Sequence, residues 1–147
     1  MKTSVSSKSR SELSVGTVFF YHDYHGHNGP KSRYFVAVAD DEQSFFSFTP
    51  SSGSALTLLR KFPESVTPLI PGKTTCLPKD CVVDCRTLYS FDDIMMSSYL
   101  ASRRVEVKGK LPVEIMRSIR LATSTSKVLE ERKKLLVLDS LDRHMAE

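Results

Sequence analysis

Short runs of alternating or β-branched apolar residues predict strands in the first two-thirds of the chain. The clearest are residues 15–21, 33–39, 43–49 and 81–88, which are rich in Val, Phe, Tyr and Thr. Residues 22–32 are dense in turn-forming residues, so they are expected to form a long exposed loop. The pattern therefore begins as a series of short strands.

Prolines interrupt the pattern between the third and fourth of these strands. Residues 55–62 and 65–70 are apolar runs of strand-like or irregular character, punctuated by Pro63, Pro68 and Pro71. We expect irregular structure with short extended pieces in this part of the chain.

Helical spacing replaces alternation near the end of the chain. Residues 90–93 resemble a capping box that opens a short helix through Leu100. Pro112 suits a first helical turn, and the following helix is broken or capped by residues 123–126. Its apolar positions recur at helical spacing: Leu111, Ile115, Ile119 and Ala122. A second helix is expected to begin at Lys127, with four apolar residues roughly along one side: Val128, Leu135, Leu138 and Leu141.

Strands first and helices last predict an α+β fold. We expect a small β-barrel or strongly bent sheet of short, mostly antiparallel strands, with a C-terminal helix packed on it and an extra terminal helix. The 147 residues fit one domain with extensions. Residues 1–14, with six serines, are predicted to be a disordered tail, residues 15–126 the barrel domain, and residues 127–147 the additional helix.

The strands at 33–39 and 43–49 predict a β-hairpin. An odd loop length would set Arg33 opposite Thr49, with the larger apolar side chains together on the other face. A guanidinium beside a hydroxyl suits phosphate binding and the stabilisation of charge on phosphate. The alternative is that Arg33 is a solvated strand end and Thr49 an ordinary β-branched strand residue.

The net charge of +4 is unevenly distributed. Residues 101–134 contain ten basic and four acidic residues, so their local excess is larger than that of the whole chain. Such a field favours an anionic partner, either nucleic acid or an acidic protein segment, although a basic surface also serves solubility alone.

Cysteine and histidine positions bear on compartment and chemistry. Three cysteines without paired spacing indicate free thiols and a reducing compartment, so we predict a cytoplasmic protein; no apolar run predicts a membrane segment. Cys81 and Cys85 are expected to pack in the core. The cluster of His22, Asp23, His25 and His27 lacks a complete zinc ligand set, which leaves acid–base chemistry or a plain polar loop. We expect no metal and no cofactor.

Five segments, taken in order, resemble the MazF/PemK family of toxin endoribonucleases over about residues 15–129. They are residues 15–18 (VGTV), 31–38 (KSRYFVAV), 48–51 (FTPS), 77–83 (LPKDCVV) with 86–88 (RTL), and 109–111 (GKL) ahead of an amphipathic helix.

The resemblance implies an SH3-like barrel, usually a homodimer, that cleaves single-stranded RNA without a metal and is blocked by an antitoxin-like protein inhibitor. By matching position, Arg33 would stabilise charge or transfer protons, and Thr49 would bind the phosphate. The remaining substrate-binding positions would be Lys31, Ser32, Ser51, Ser52, His25 and His27. The alternative is a catalytically silent SH3-like module that binds nucleic acid or a protein partner through its basic C-terminal half.

Overall fold

The computed structural model describes residues 13–26, 29–73 and 75–146. Within these ranges, one open antiparallel sheet is formed by β1 (Thr17–Gly26), β2 (Gly29–Asp40), β3 (Ser44–Ser51), β4 (Val82–Asp92) and β5 (Val105–Lys110). The helices there are α1 (Ala55–Lys61), α2 (Asp93–Ala101), α3 (Val113–Thr125) and α4 (Glu131–Ala146). The strand order β4-β3-β2-β1-β5 makes β4 and β5 the edges. The expected α+β class is confirmed.

Each face of the sheet has its own hydrophobic core, because side chains alternate along every strand. The helical face packs against α3 and α4 through fully buried residues, including Val18, Val36, Val38 and Phe48. The aromatic face packs against α2 through Phe19, Phe35, Phe45, Phe91 and Met96. Ring centroids of Phe35 and Phe91 lie 5.0 Å apart in an edge-to-face contact. The sheet is therefore covered on both sides.

The prediction of a long loop over residues 22–32 is wrong. β1 and β2 continue as a hairpin, with Tyr24 opposite Lys31 and Gly26 opposite Gly29. His27 and Asn28, between these strands, lie outside the described residues. Asp23 takes a positive φ of 53° within a bulge, which breaks the sequence alternation without ending the ladder. Local turn propensity therefore suggested a loop where cross-strand pairing maintains a strand.

The predicted register of the β2–β3 hairpin is also wrong. The predicted register pairs Phe48 with Tyr34, but in the structure Phe48 pairs with Val36, two residues further along β2. Arg33 therefore does not lie opposite Thr49. The turn forms one residue later than expected because the Asp41 carboxylate accepts hydrogen bonds from the backbone N–H of Ser44 at 2.8 Å and of Gln43 at 2.9 Å. A shift of two residues preserves the alternation, so the predicted apolar face is present, although a bulge after Ala37 brings Ala39 into the same core as Val36 and Val38.

Three local expectations change in the middle of the chain. Residues 55–62 form helix α1 and not an extended run, burying Ala55 and Leu58 one turn apart. α2 begins near the expected position, but its N-cap is Asp92, which accepts a 2.9 Å hydrogen bond from the Met95 N–H. β5 was not predicted, although its start alternates apolar and charged residues. The strand predicted over residues 81–88 is present as β4, which begins at Val82 and extends to Asp92.

Both predicted C-terminal helices are present, but the second one buries a different set of residues from the set predicted. α3 follows Pro112 and ends at Thr125, close to the predicted break. α4 begins only at Glu131 and buries Val137, Ser140 and Leu141. The predicted apolar side is wrong at two positions, because Leu135 is 58% exposed and Val128, also exposed, precedes the helix, whereas Leu141 is buried as predicted. Among the described residues, no helix has the length and apolar character needed to cross a bilayer.

Candidate functional site

A cleft of about 700 Å³ is the main candidate site. Its lining comes from separate parts of the chain: Phe20 on β1, residues 31–34 on β2, residues 49–54 at the end of β3 and just after it, α1 with Phe62, the residues Pro78, Lys79 and Cys81, and Asp84 and Arg86 on β4. The β2–β3 and β3–β4 pairings bring the strand contributions together. The cleft is therefore a product of the tertiary fold.

Positive charge dominates the cleft lining. The basic residues are Lys31, Arg33, Lys61, Lys79 and Arg86. Asp84 is the acidic member of the lining, and Arg86 is bound to it. Such an excess of positive charge in a concave site attracts an anionic ligand and raises its local concentration.

Hydroxyl groups surround the same cleft and supply hydrogen bonds for phosphate or sugar oxygens. They belong to Ser32, Thr49, Ser51, Ser52, Ser54 and Thr57. Thr49 is only 7% exposed and lies opposite Asp84 in the β3–β4 ladder. Thr49 is thus a buried residue of a paired strand, whereas the serines after Ser51 are exposed in the loop between β3 and α1.

Arg33 and Thr49 line one cleft even though they are not cross-strand partners. The half-buried Arg33 places its guanidinium carbon 5.7 Å from the centroid of the Tyr89 ring. Burial raises the pKa of nearby Tyr24, and the positive charge of Arg33 opposes that rise. The cation is therefore held beside aromatic rings at the edge of the cleft.

Arg86 is the most firmly held cation of the cleft. Its Nε and Nη2 each donate a 2.9 Å hydrogen bond to the Asp84 carboxylate. Its guanidinium carbon lies 4.3 Å from the centroid of the Phe62 ring. The bidentate pair raises the pKa of Arg86. This arrangement fixes the orientation of the guanidinium before any ligand binds.

Most of the predicted substrate-binding residues meet at this cleft. Lys31, Ser32, Ser51 and Ser52 belong to its lining. His25 is exposed on the β1–β2 hairpin opposite Pro30 and is not among the lining residues, and His27 lies outside the described residues. No group of three or more potential metal ligands occurs within residues 13–26, 29–73 and 75–146.

Several cleft residues were missed by the sequence analysis. Phe20 and Lys61 lie in segments with no distinctive motif, and Lys79 and Arg86 were noted only as part of the family resemblance. The basic region 101–134 contributes none of the described lining residues. Several of its cations bind within the fold, such as Arg120 to Asp142 at 2.5 Å. The local charge excess of residues 101–134 and the basic cleft are therefore separate features of the surface.

The cysteines are free thiols, and Cys81 and Cys85 are buried as predicted. Burial raises the pKa of Cys81 to about 11 and raises that of Cys85 further. Because thiolate is the reactive form, Cys81 is an inert wall of the cleft at neutral pH.

No model of a known protein family matches the chain, and a comparison with curated proteins finds no match.

Proposed function

We propose that this protein binds single-stranded RNA in the cleft and cleaves it as a MazF/PemK-like, metal-independent endoribonuclease. One observation carries the proposal: Arg33 and Thr49 both line a cleft in which five basic residues face a single carboxylate that is already paired. A polyanionic strand with accessible phosphates matches that charge.

The proposed reaction is an internal transesterification. The ribose 2′-hydroxyl attacks the adjacent phosphorus, the bond to the 5′-oxygen breaks, and the products are a 2′,3′-cyclic phosphate and a 5′-hydroxyl. Arg33 stabilises the negative charge of the pentavalent phosphorane or takes part in proton transfer, and Thr49 hydrogen-bonds a phosphate oxygen. The fixed charge of Arg86 would hold a neighbouring phosphate.

The proposal includes an SH3-like barrel. It is supported by the bulges in the β1–β2, β1–β5, β2–β3 and β3–β4 pairings, because bulges bend strands. Isolated bridges from Val66 to Asp84 and from Ile70 to Cys81 also extend the sheet beyond β4. The homodimer, the cytoplasmic location and the antitoxin-like inhibitor rest on the family resemblance and the sequence composition.

The test uses purified full-length protein and single-stranded RNA in the presence of a chelator. Wild type should generate cyclic-phosphate ends. Arg33→Ala should lose about 100-fold or more in rate, the typical effect of removing a group that stabilises transition-state charge. Thr49→Val keeps the shape of the buried residue and should also slow cleavage. Arg132→Ala, at an exposed position of α4, is the matched control and should cut like wild type. Cleavage that survives Arg33→Ala would contradict the proposal.

A silent RNA-binding module is the second candidate. It is favoured by the low exposure of Thr49 and by the position of the Arg33 guanidinium against Tyr89. Wild type that binds RNA in every condition but never cuts it would establish this candidate in place of the nuclease.

A further inference from the structure

A row of aromatic side chains crosses the helical face beside the cleft. Phe20 on β1 lies directly opposite Tyr34 on β2, and their ring centroids are 4.7 Å apart. The His22 ring, two residues along β1, also contacts Phe20 in an edge-to-face arrangement, with the two ring centroids 4.7 Å apart. Tyr34, Phe20 and His22 therefore form one continuous line of three rings.

Helices α3 and α4 do not bury this end of the helical face. Val18 and Val36, next along the same face, are fully buried in the core with these helices. In contrast, Phe20 and Tyr34 are only half-buried, and the His22 side chain is 41% exposed. The three rings thus present aromatic surface to the outside of the fold.

Charged residues of β5 hold the far end of the row. The His22 Nε2–H donates a 2.5 Å hydrogen bond to Glu106, the partner of Phe20 on β5. Lys108 places its ammonium nitrogen 5.9 Å from the Phe20 centroid and 3.7 Å from the Glu106 carboxylate. The His22 imidazole is thus fixed by Glu106, and the Lys108 ammonium lies over the Phe20 ring while the Glu106 carboxylate balances its charge.

The row is continuous with the cleft, since Phe20 and Tyr34 belong to the cleft lining. Lys31 belongs to the same lining, and the Lys108 ammonium lies over the Phe20 ring. Sequence-tolerant single-strand sites combine such a positively charged track with rings on which successive bases stack. The excess of positive charge in the adjoining cleft favours a polyanionic strand as the occupant of these rings.

We infer that Tyr34, Phe20 and His22 form a base-stacking subsite for unpaired nucleotides next to the phosphate held in the cleft. This inference rests on the proposed function for the identity of the strand, but it concerns the binding of bases and not cleavage. It assigns to the three rings the role of holding bases, while the cleft cations hold phosphates.

The experiment compares two uncleavable strands of equal length on the full-length protein. One is a 2′-O-methyl oligoribonucleotide, and the other carries abasic sites in place of all bases, so both have the same phosphate charge. Wild type should bind the base-bearing strand roughly tenfold more tightly or better, as expected for stacked bases. Binding is measured by fluorescence anisotropy at fixed salt concentration.

Phe20→Leu and Tyr34→Leu remove a ring while keeping an apolar side chain. Each should reduce the preference for the base-bearing strand by roughly fivefold to tenfold and leave binding of the abasic strand unchanged. Phe46→Leu is the matched control, because Phe46 is a half-buried phenylalanine packed against the same core but outside the described cleft lining. The Phe46→Leu variant should prefer the base-bearing strand as strongly as wild type does.

The outcomes separate this inference from the nuclease proposal. Equal binding of the two strands by wild type, or binding of neither, overturns the subsite even if natural RNA is cut. A base preference that Phe20→Leu abolishes supports the subsite even if no RNA is cut. Equal losses in Phe46→Leu and Phe20→Leu would overturn it, because the effect would then be general to the fold.

Discussion

The guanidinium of Arg86 lies over the ring of Phe62, with its central carbon 4.3 Å from the ring centroid. Arg86 comes from β4, and Phe62 directly follows α1, so the contact joins two walls of the cleft. Asp84 fixes the same guanidinium from within β4. A cation held on both sides loses little freedom when it binds a phosphate.

Arg86→Lys tests whether this fixed geometry matters beyond charge. Lysine keeps the positive charge but cannot form the bidentate pair with Asp84 or stack its head group on Phe62. We expect affinity for an uncleavable single-stranded oligonucleotide to fall roughly tenfold, as for the loss of one good charged contact. Arg132→Lys, on the exposed side of α4, should leave affinity unchanged. An unchanged affinity in Arg86→Lys would show that only charge is used.

Gly72→Ala tests the packing that positions Lys79 at the cleft. A Cβ at residue 72 would meet the backbone of Lys79, with its carbonyl carbon at 2.6 Å. Backbone cannot swing aside as a flexible side chain does, so we expect a loss of about 1–3 kcal/mol in unfolding free energy, measured by urea denaturation. Because Lys79 lines the cleft, oligonucleotide affinity should fall as well.

Gly53→Ala is the control for that substitution. A Cβ there meets no atom within 4 Å, so its unfolding free energy should stay close to that of wild type. If Gly72→Ala is as stable as Gly53→Ala, residues 72 and 79 do not pack as the structure describes.

Thiol labelling tests the burial of the cysteines. Burial raises the pKa of Cys81 to about 11 and that of Cys85 further, while Cys76 is half-buried with a pKa that is also raised. At pH 8 in native buffer, a disulfide reagent such as DTNB should modify one thiol per chain first, and denaturant should release two more. Cys76→Ser should remove the first phase. Rapid modification of all three thiols in the folded protein would contradict this order.

The pair of His22 and Glu106 predicts a pH-dependent contribution to stability. The hydrogen bond from His22, followed by the charge of Lys108, lowers the pKa of Glu106. Because the folded-state pKa is depressed, the stabilisation is present above the unfolded value of about 4.3 and is lost as pH falls through the folded value. Glu106→Gln should therefore melt at a slightly lower temperature than wild type at pH 7, and the difference should disappear at an acidic pH below the folded-state pKa of Glu106.

Salt provides the check on that interpretation. The pair is exposed, so added salt should also reduce the difference between wild type and Glu106→Gln at pH 7. A difference that is the same at both pH values would mean that the substitution acts through packing and not through the charge of the carboxylate.

The sequence by itself determined the class of fold and the side of the sheet on which most hairpin residues lie. Alternation predicted β4 and the two faces of the β2–β3 hairpin, because period-two burial is a local property of each strand. Helical spacing after Pro112 predicted α3 in the same way. These features survive errors in register because they depend on neighbours within one segment.

Only the tertiary structure decided the register, the edges of the sheet and the membership of the cleft. The Asp41 turn moved the β2–β3 pairing by two residues, so Arg33 and Thr49 meet at the cleft and not across the ladder. Lys61 and Lys79 are far apart along the chain and enter one lining through the packing of α1 and the segment before β4. Long-range pairing fixes such positions, because the energy that selects them comes from contacts absent in any single stretch of sequence.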